Sequence, residues 1–210
     1  MTTENQMESP RAAHGARESE NTGCRGDHHF EKATEVLGDE HRVIERVLAV
    51  LEKLSRTPVE SSLENWQKAL EFFRYFADQC HHFKEEQLLF PALEAHGISR
   101  DGGPIGMMLM EHEEGRVRVR SMFAAVSLVE AQESAAKGAL LNNAGAYLAL
   151  LREHIQKEDE ILFRIADDVI PASEQKELLR RFEEHEAKEM GAEVHEKYLK
   201  IAEELEKSLS

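Results

Sequence analysis

The chain has 210 residues, 41% of them hydrophobic, which is enough for one compact domain with a sizeable core. Its 41 acidic and 26 basic residues give a formal net charge of −15, which argues against nucleic acid or an anionic membrane surface as a partner and favours cations. No stretch approaches the roughly 18 apolar residues of a membrane span, and the N-terminus lacks the apolar core of a signal peptide, so we expect a cytoplasmic protein.

A polar N-terminal tail precedes the first helical pattern. Residues 1–33 show no apolar periodicity and are predicted to be disordered, and Cys24 lies among them. Because Cys80 is the only other cysteine, we expect neither a disulfide framework nor a thiolate zinc site. From Thr34 onwards apolar residues recur at spacings of three, four and seven until Pro58, which predicts the first helix.

Three further long helical patterns follow. Ser61 and Glu64 have the spacing of a capping box and are predicted to open the second helix, which ends at about Gly97. The third helix is predicted to begin at Pro104 and to run to about residue 132. The fourth is predicted from about residue 138 to the break before residue 171.

The order of these elements predicts the fold class. Four helices with short connections predict an all-α protein, an antiparallel up-down-up-down four-helix bundle over residues 34–170. Residues 171–210 are predicted to form a charged C-terminal helical extension, an extra helix that Ser173 caps and that packs on the outside of the bundle.

Three candidate metal ligands lie on the apolar faces of the third and fourth helices. At 100° per residue, His154 and Glu158 fall in the middle of the apolar stripe of the fourth helix, and His112 falls within that of the third. A buried carboxylate and imidazole without partners would cost several kcal/mol. A metal ion would provide the compensating interaction.

The first two helices offer further candidates. In the second helix, His82 and Glu86 flank the phenylalanine stripe, whereas the rotation angle turns His81 and Glu85 more than a quarter-turn away. His41 lies toward the edge of the stripe of the first helix. The sequence therefore favours the pair His82 and Glu86 over its neighbours.

Four inward histidines and two glutamates can hold two metal ions, because residues at i and i+4 stack on one face of a helix. Mixed nitrogen and oxygen ligands suit iron or manganese, admit zinc and disfavour calcium. Two histidines per metal leave open positions for dioxygen, nitric oxide, water or peroxide. A single histidine with a glutamate at i+4 is frequent by chance in so acidic a chain, and hydrogen-bonded core histidines are the alternative. The prediction therefore depends on an inward histidine in each of the four helices together with the two glutamates.

These segments resemble the hemerythrin-like, or HHE cation-binding, family. CHHFKEEQLLFPALEAHGI, GGPIGMMLMEHEEGR and REHIQKEDEILF look like its second, third and fourth helices, and EHRVIERVL looks like its first. The resemblance covers about residues 34–170 and implies a four-helix bundle around two oxo- or hydroxo-bridged non-haem iron ions (Fe2+/Fe3+), in preference to manganese or zinc. The ligands that it implies are His41, His82, Glu86, His112, His154 and Glu158.

Two positions depart from the oxygen-carrying hemerythrins. Met108 stands where those proteins have a further histidine, four residues before His112, so one iron is expected to lack a protein ligand. Asp159 stands at the position of the family's aspartate, but it turns away from the core face of the fourth helix, so Glu158 is preferred. Both departures argue against a reversible oxygen carrier.

Three functions remain open from the sequence. The preferred one is a di-iron protein that binds dioxygen or nitric oxide at open iron positions for sensing, storage or stress protection. The second is an oxidase, a peroxidase-like enzyme or an iron donor for the repair of damaged iron centres, and the third is a structural bundle without stoichiometric metal. Tyr75, Tyr147 and Arg116 lie near the ligands, and each has both a site role and a packing role open to it.

Overall fold

The computed structural model describes residues 30–133, 135–190 and 192–208. Within these ranges every regular element is a helix, and no strand is present, so the predicted all-α class is confirmed. The predicted disordered tail lies outside the described residues except for residues 30–33, and Ala33 already begins the first helix. None of the described helices has a stretch that is both long enough and apolar enough to cross a membrane.

Six helices make up the described chain. They are α1 (Ala33–Leu54), α2 (63–95), α3 (Pro104–Glu130), α4 (136–169), α5 (172–190) and α6 (Ala192–Ser208), with a short 3-10 turn at Val59–Ser61 before α2. The first four correspond to the four predicted long helices within a few residues at each end. The predicted C-terminal extension contains two helices, α5 and α6.

Some of the helix ends predicted from local sequence agree with the structure, and others do not. Gly97 has a φ of +87°, which glycine adopts without strain, and it directly follows the last turn of α2. Pro104 begins α3 as predicted. The capping box at Ser61 was wrong, because the hydroxyl groups of Ser61 and Ser62 donate back to the carbonyl of Pro58 and close the preceding turn instead.

The predicted cap at Ser173 was also wrong. Helix α5 begins at Ala172, with Pro171 at its N-cap position and no side-chain cap. The ring of Pro171 fixes its φ, here −62°, and its ψ of 153° is extended, so the helix begins at the next residue without a side-chain cap.

Cross-helix contacts fix the relative directions of the helices. Lys32 pairs with Asp167 at one end of the α1/α4 contact and Arg152 pairs with Glu52 at the other, so these helices run antiparallel. Helices α2 and α3 also run antiparallel, because Gln67 bonds Glu130 at one end and residues 86 and 112 bond each other farther along.

The core divides into two apolar clusters along the long axis of these helices. One contains Leu48, Trp66 and Phe73, and the other contains Leu37 and Phe90. Residues 40–41, 78–86, 111–116 and 154–158 lie between the two clusters on their respective helices. A layer of buried polar side chains therefore crosses the middle of the molecule.

Helices α2 and α4 are π-helical where they cross this layer. The π-helical segments are Phe73–His82 and Glu85–Leu89 in α2 and Glu158–Leu162 in α4. Hydrogen bonds from i to i+5 widen the turn, so each residue advances by less than the 100° of an α-helix. The difference accumulates along α2 and changes which side chains point into the polar layer.

Helices α5 and α6 cover the side of the molecule formed by α1 and α2. Phe182 of α5 and Tyr198 of α6 are buried in the two apolar clusters. The ammonium group of Lys84, on α2, is fully buried and reaches Glu186 of α5.

Candidate metal centre

Two groups of buried side chains meet in the polar layer, and each has the composition of a metal site. In each group one potential ligand atom per residue lies within 4.8 Å of all the others. The first group is His82, Glu85, His112 and His154, and the second is His41, His81, Glu85 and Glu158. Glu85 is common to both.

The two glutamates lie between the two sets of histidines. Glu158 Oε2 is 3.3 Å from His41 Nε2 and 3.2 Å from His154 Nε2. Glu85 Oε1 is 3.5 Å from His81 Nε2, and its Oε2 is 3.4 Å from His112 Nε2. Each carboxylate therefore faces one histidine of each group, as bridging ligands do between two metal ions.

Among the residues that the structure describes, the buried oxygens of these glutamates have no hydrogen-bond partner. Both side-chain oxygens of Glu85 and of Glu158 are buried without a hydrogen bond, and so is Nε2 of His41. Orphaned buried polar atoms are rare in folded proteins and cost free energy. Their concentration at one point fits a bound cation as the missing partner.

Carboxylates outside the two groups orient four of the five imidazoles. The Nδ1 atoms of these four rings lie 2.8–3.1 Å from a carboxylate oxygen, and their Nε2 atoms face Glu85 or Glu158. The pairs are His41 with Asp159, His81 with Glu40, His112 with Glu86, and His154 with Glu111. Such contacts fix the tautomer that leaves Nε2 available to a metal.

Each outer carboxylate also has a cationic partner. Arg42 pairs with Asp159, Lys84 with Glu40, Arg116 with Glu86, and Lys157 with Glu111. These pairs anchor the outer carboxylates, and through them the imidazole rings, to the helices around the site.

Burial and neighbouring charges shift the pKa values of the glutamates and of His154 in the site. Burial and the neighbouring charge of Glu158 raise the pKa of Glu85 well above its ordinary value. Burial would also raise the pKa of Glu158, but the charge of His154 and the close contacts with His112 and His41 together outweigh burial and hold that pKa well below the usual range. Burial lowers the pKa of His154, but the charge of Glu158 and the contact with Glu111 together outweigh burial and raise this pKa to about 9. A metal ion would displace protons from such groups as it binds.

Comparison with known proteins identifies the family. The model of the hemerythrin HHE cation-binding domain matches residues 32–166. The chain belongs to this family. It is also 28% identical over 180 residues to uncharacterized proteins of Mycobacterium bovis (Mb2018) and Mycobacterium tuberculosis (Rv1995), covering 84% of this chain and 70% of each relative. No solved structure gives a significant match.

In this hemerythrin-like domain the structure brings together five of the six residues predicted as ligands. His41, His82, His112, His154 and Glu158 all lie in the two groups. Glu86 does not, because its carboxylate lies outside the groups on His112 Nδ1 and on Arg116.

The sequence interpretation missed two residues of the groups, His81 and Glu85. The rotation argument that turned them away from the core was wrong, because it applied the angle of an α-helix to a π-helical segment. Both side chains are almost completely buried. Their i, i+4 spacing is the same as that of His82 and Glu86, so the pattern itself contained both pairs.

The first group contains three imidazoles although a methionine, Met108, stands four residues before His112. The three imidazoles of the first group come from three helices, and the rings of His82 and His112 lie 3.9 Å apart between centroids. Met108 is buried in the apolar cluster that includes Leu37. His82 therefore supplies a third imidazole to the first group, and the group with only two imidazoles is that of His41 and His81.

The remaining side chains near the site have resolved partners. Tyr147 packs edge-on against Phe73 in the core, and Tyr75 stacks on Tyr198 of α6. Arg116 bonds Asp78 and Glu86. The described contacts of both tyrosines are packing contacts, whereas Arg116 anchors an outer carboxylate.

Helix α5 lies beyond the matched segment and still supports the site. The ring of His185 stacks on Phe83 at 3.7 Å, and its Nε2 lies 3.1 Å from the carbonyl oxygen of Gln79, within the π-helical part of α2. Glu186 pairs with Lys84, which in turn holds Glu40 against His81. Helix α5 thus braces the segment of α2 that presents two consecutive histidines.

Cys80 should be chemically inert in the folded protein. The side chain is 1% exposed, and burial raises the pKa of its thiol to about 12. Alkylation of the native protein followed by peptide mass spectrometry should leave the peptide that contains Cys80 unlabelled, and alkylation in denaturant should label it. Rapid labelling of this peptide in the native protein would show that α2 opens at the site.

Proposed function

We propose that this protein is a non-haem di-iron protein that binds dioxygen or nitric oxide at an open iron position. The iron ions would lie within an antiparallel up-down-up-down bundle formed by residues 34–170. The observation that carries this proposal is the pair of buried carboxylates, Glu85 and Glu158, each facing a histidine of both groups.

The ligands that we propose are divided unequally between the two ions. His82, His112 and His154 would hold one iron, His41 and His81 would hold the other, and Glu85 and Glu158 would bridge them. The iron with two imidazoles has fewer protein ligands. It is therefore where a diatomic ligand would bind.

The donor set suits iron. Imidazole and carboxylate together suit iron, manganese and zinc, whereas a calcium site takes oxygen ligands alone. Bound iron supplies reversible electron transfer to a small ligand. The chain holds the imidazoles in the correct tautomer through the outer carboxylates and excludes bulk water by burying both glutamates.

The test is to load the metal-free protein with two equivalents of Fe2+ without oxygen and to titrate it with nitric oxide, then with dioxygen in a separate sample. We expect a stoichiometric nitric oxide adduct detected by absorption and electron paramagnetic resonance, with both irons retained. His41→Ala should remove this adduct, because it removes one of the two imidazoles that would hold the iron with the open position.

Each alternative has its own signature in the same experiment. Catalytic consumption of peroxide would indicate an enzyme, and transfer of iron to an apo iron protein would indicate a donor. Failure to retain any iron would indicate a structural bundle without stoichiometric metal. Any of these three results would contradict the proposed function.

A further inference from the structure

A cavity of about 550 Å³ opens between α2 and α3 and reaches the metal centre at His82. Its inner wall includes the buried residues His82, Gly115 and Tyr147, and its rim includes the exposed Arg74 and Arg120. Pockets that hold small organic molecules measure roughly 300–1,000 Å³. The cavity is therefore large enough for an organic molecule and much larger than a diatomic gas requires.

The charge at the mouth of the cavity is opposite to that of the protein. Arg74, Arg116 and Arg120 line it together with a single carboxylate, that of Asp78, although the whole chain carries a net charge of −15. A concave surface with an excess of one sign of charge attracts ions of the other sign. The cavity favours an anion.

Two of these guanidinium groups are available to a ligand. Arg74 lies over the ring of Tyr75 at 5.4 Å and has no ion-pair partner in the part of the chain that the structure describes. In the described part of the chain Arg120 pairs only with Glu113. Both side chains are more than half exposed, so a ligand can compete with that contact at little cost.

The inner part of the cavity is apolar. Phe73, Val119 and Phe123 line it, and Phe73 packs against the ring of Tyr147. An anion that fills the cavity must therefore carry a hydrophobic body behind its charged group.

His82 adds an unsatisfied polar atom at the wall of the cavity. The side chain is 5% exposed, and its buried Nδ1 finds no hydrogen-bond partner within residues 30–133, 135–190 and 192–208. The nearest carboxylate oxygen, Oδ1 of Asp78, lies 3.5 Å away and accepts a hydrogen bond from Arg116 Nε at 2.7 Å instead. The other four histidines of the two groups each have a carboxylate on Nδ1 within 3.1 Å.

We propose that this cavity binds a small organic carboxylate with an apolar body, its charged group at Arg74 and Arg120 and its body against Phe73 and Val119. A bound molecule would lie beside His82 and so beside the metal centre. This binding site is distinct from the proposed uptake of diatomic gases. Apart from His82, none of its residues is a proposed iron ligand.

The test compares phenylacetate with phenylacetamide, a neutral molecule of nearly the same shape, by titration calorimetry on the full chain. We expect phenylacetate to bind about tenfold or more tightly than the amide, because a charge-assisted hydrogen bond contributes roughly one factor of ten or more. Arg120→Gln should weaken phenylacetate binding by about tenfold, whereas Arg118→Gln, on the same helix but outside the cavity, should leave it unchanged.

A second variant tests the volume of the cavity. Gly115→Val adds a side chain at the cavity wall, and its Cβ meets only Tyr147 Cε2 at the ordinary contact distance of 3.5 Å. We expect it to lower the affinity for phenylacetate in a protein whose helicity is unchanged. Equal affinities for phenylacetate and its amide, or an affinity unaffected by both Arg120→Gln and Gly115→Val, would overturn the proposal.

The same titrations are repeated on the metal-free protein. Phenylacetate should bind there as well, because the cavity's arginines and aromatic residues do not depend on a metal. Loss of iron binding would therefore leave this proposal standing, and loss of phenylacetate binding would leave the iron proposal standing.

Discussion

Glu85→Gln is expected to reduce the metal content of the iron-loaded protein from two ions per chain to one or none. Glu85 is the residue that belongs to both groups of potential ligands, and an amide cannot supply the negative charge of a bridging carboxylate. The fold should survive, because burial and Glu158 raise the pKa of Glu85 and glutamine has nearly the shape of the protonated acid. Metal analysis together with circular dichroism would measure both effects.

Glu86→Gln is the matched control on the adjacent residue. Glu86 contacts His112 Nδ1 from outside the two groups, so its loss should weaken metal affinity by about 10–100-fold while saturating iron still gives two ions per chain. The reverse outcome, in which Glu86→Gln removes an ion and Glu85→Gln does not, would restore the original sequence prediction and contradict the bridging role of Glu85.

Lys84→Met is expected to destabilise the metal-free protein by about 3–5 kcal/mol, because it leaves a buried carboxylate without its cation. The ammonium of Lys84 is fully buried between Glu40 and Glu186, and Glu40 is itself only 4% exposed. Methionine fills a similar volume, so the effect would come from the lost charge more than from a void. Denaturant unfolding monitored by circular dichroism measures the change.

Lys157→Met is the control for this second prediction. Lys157 pairs with Glu111 in the same way, but its side chain is 31% exposed, so water can replace it and the loss should stay near 1 kcal/mol or below. Similar losses of stability for the two variants would contradict the larger contribution expected of the fully buried ion pair.

The sequence predicted the helices well because their apolar residues repeat at helical spacings. One inward histidine in each of α1, α3 and α4 followed from the same periodicity, and the structure places His41, His112 and His154 in the polar layer. Pro104 and Gly97 marked the ends of helices through backbone preferences that do not depend on distant contacts.

Apolar periodicity could not decide between the pair His81 and Glu85 and the pair His82 and Glu86 in α2. His81 and His82, and likewise Glu85 and Glu86, are neighbours in the chain, so a modest change in helical twist decides which of their side chains reach the site. The π-helical twist of α2 is accompanied by contacts with residues about 100 positions away, including His185 with the carbonyl of Gln79. No local pattern contains that information.

Two metal ions are expected to lie between the two groups of histidines. The most direct measurement is an anomalous difference map at the iron absorption edge, from crystals of the iron-loaded protein. We predict two peaks about 4 Å apart or less, one beside His82, His112 and His154 and the other beside His41 and His81, with Glu85 and Glu158 between them. A single peak, or peaks away from these histidines, would contradict the account.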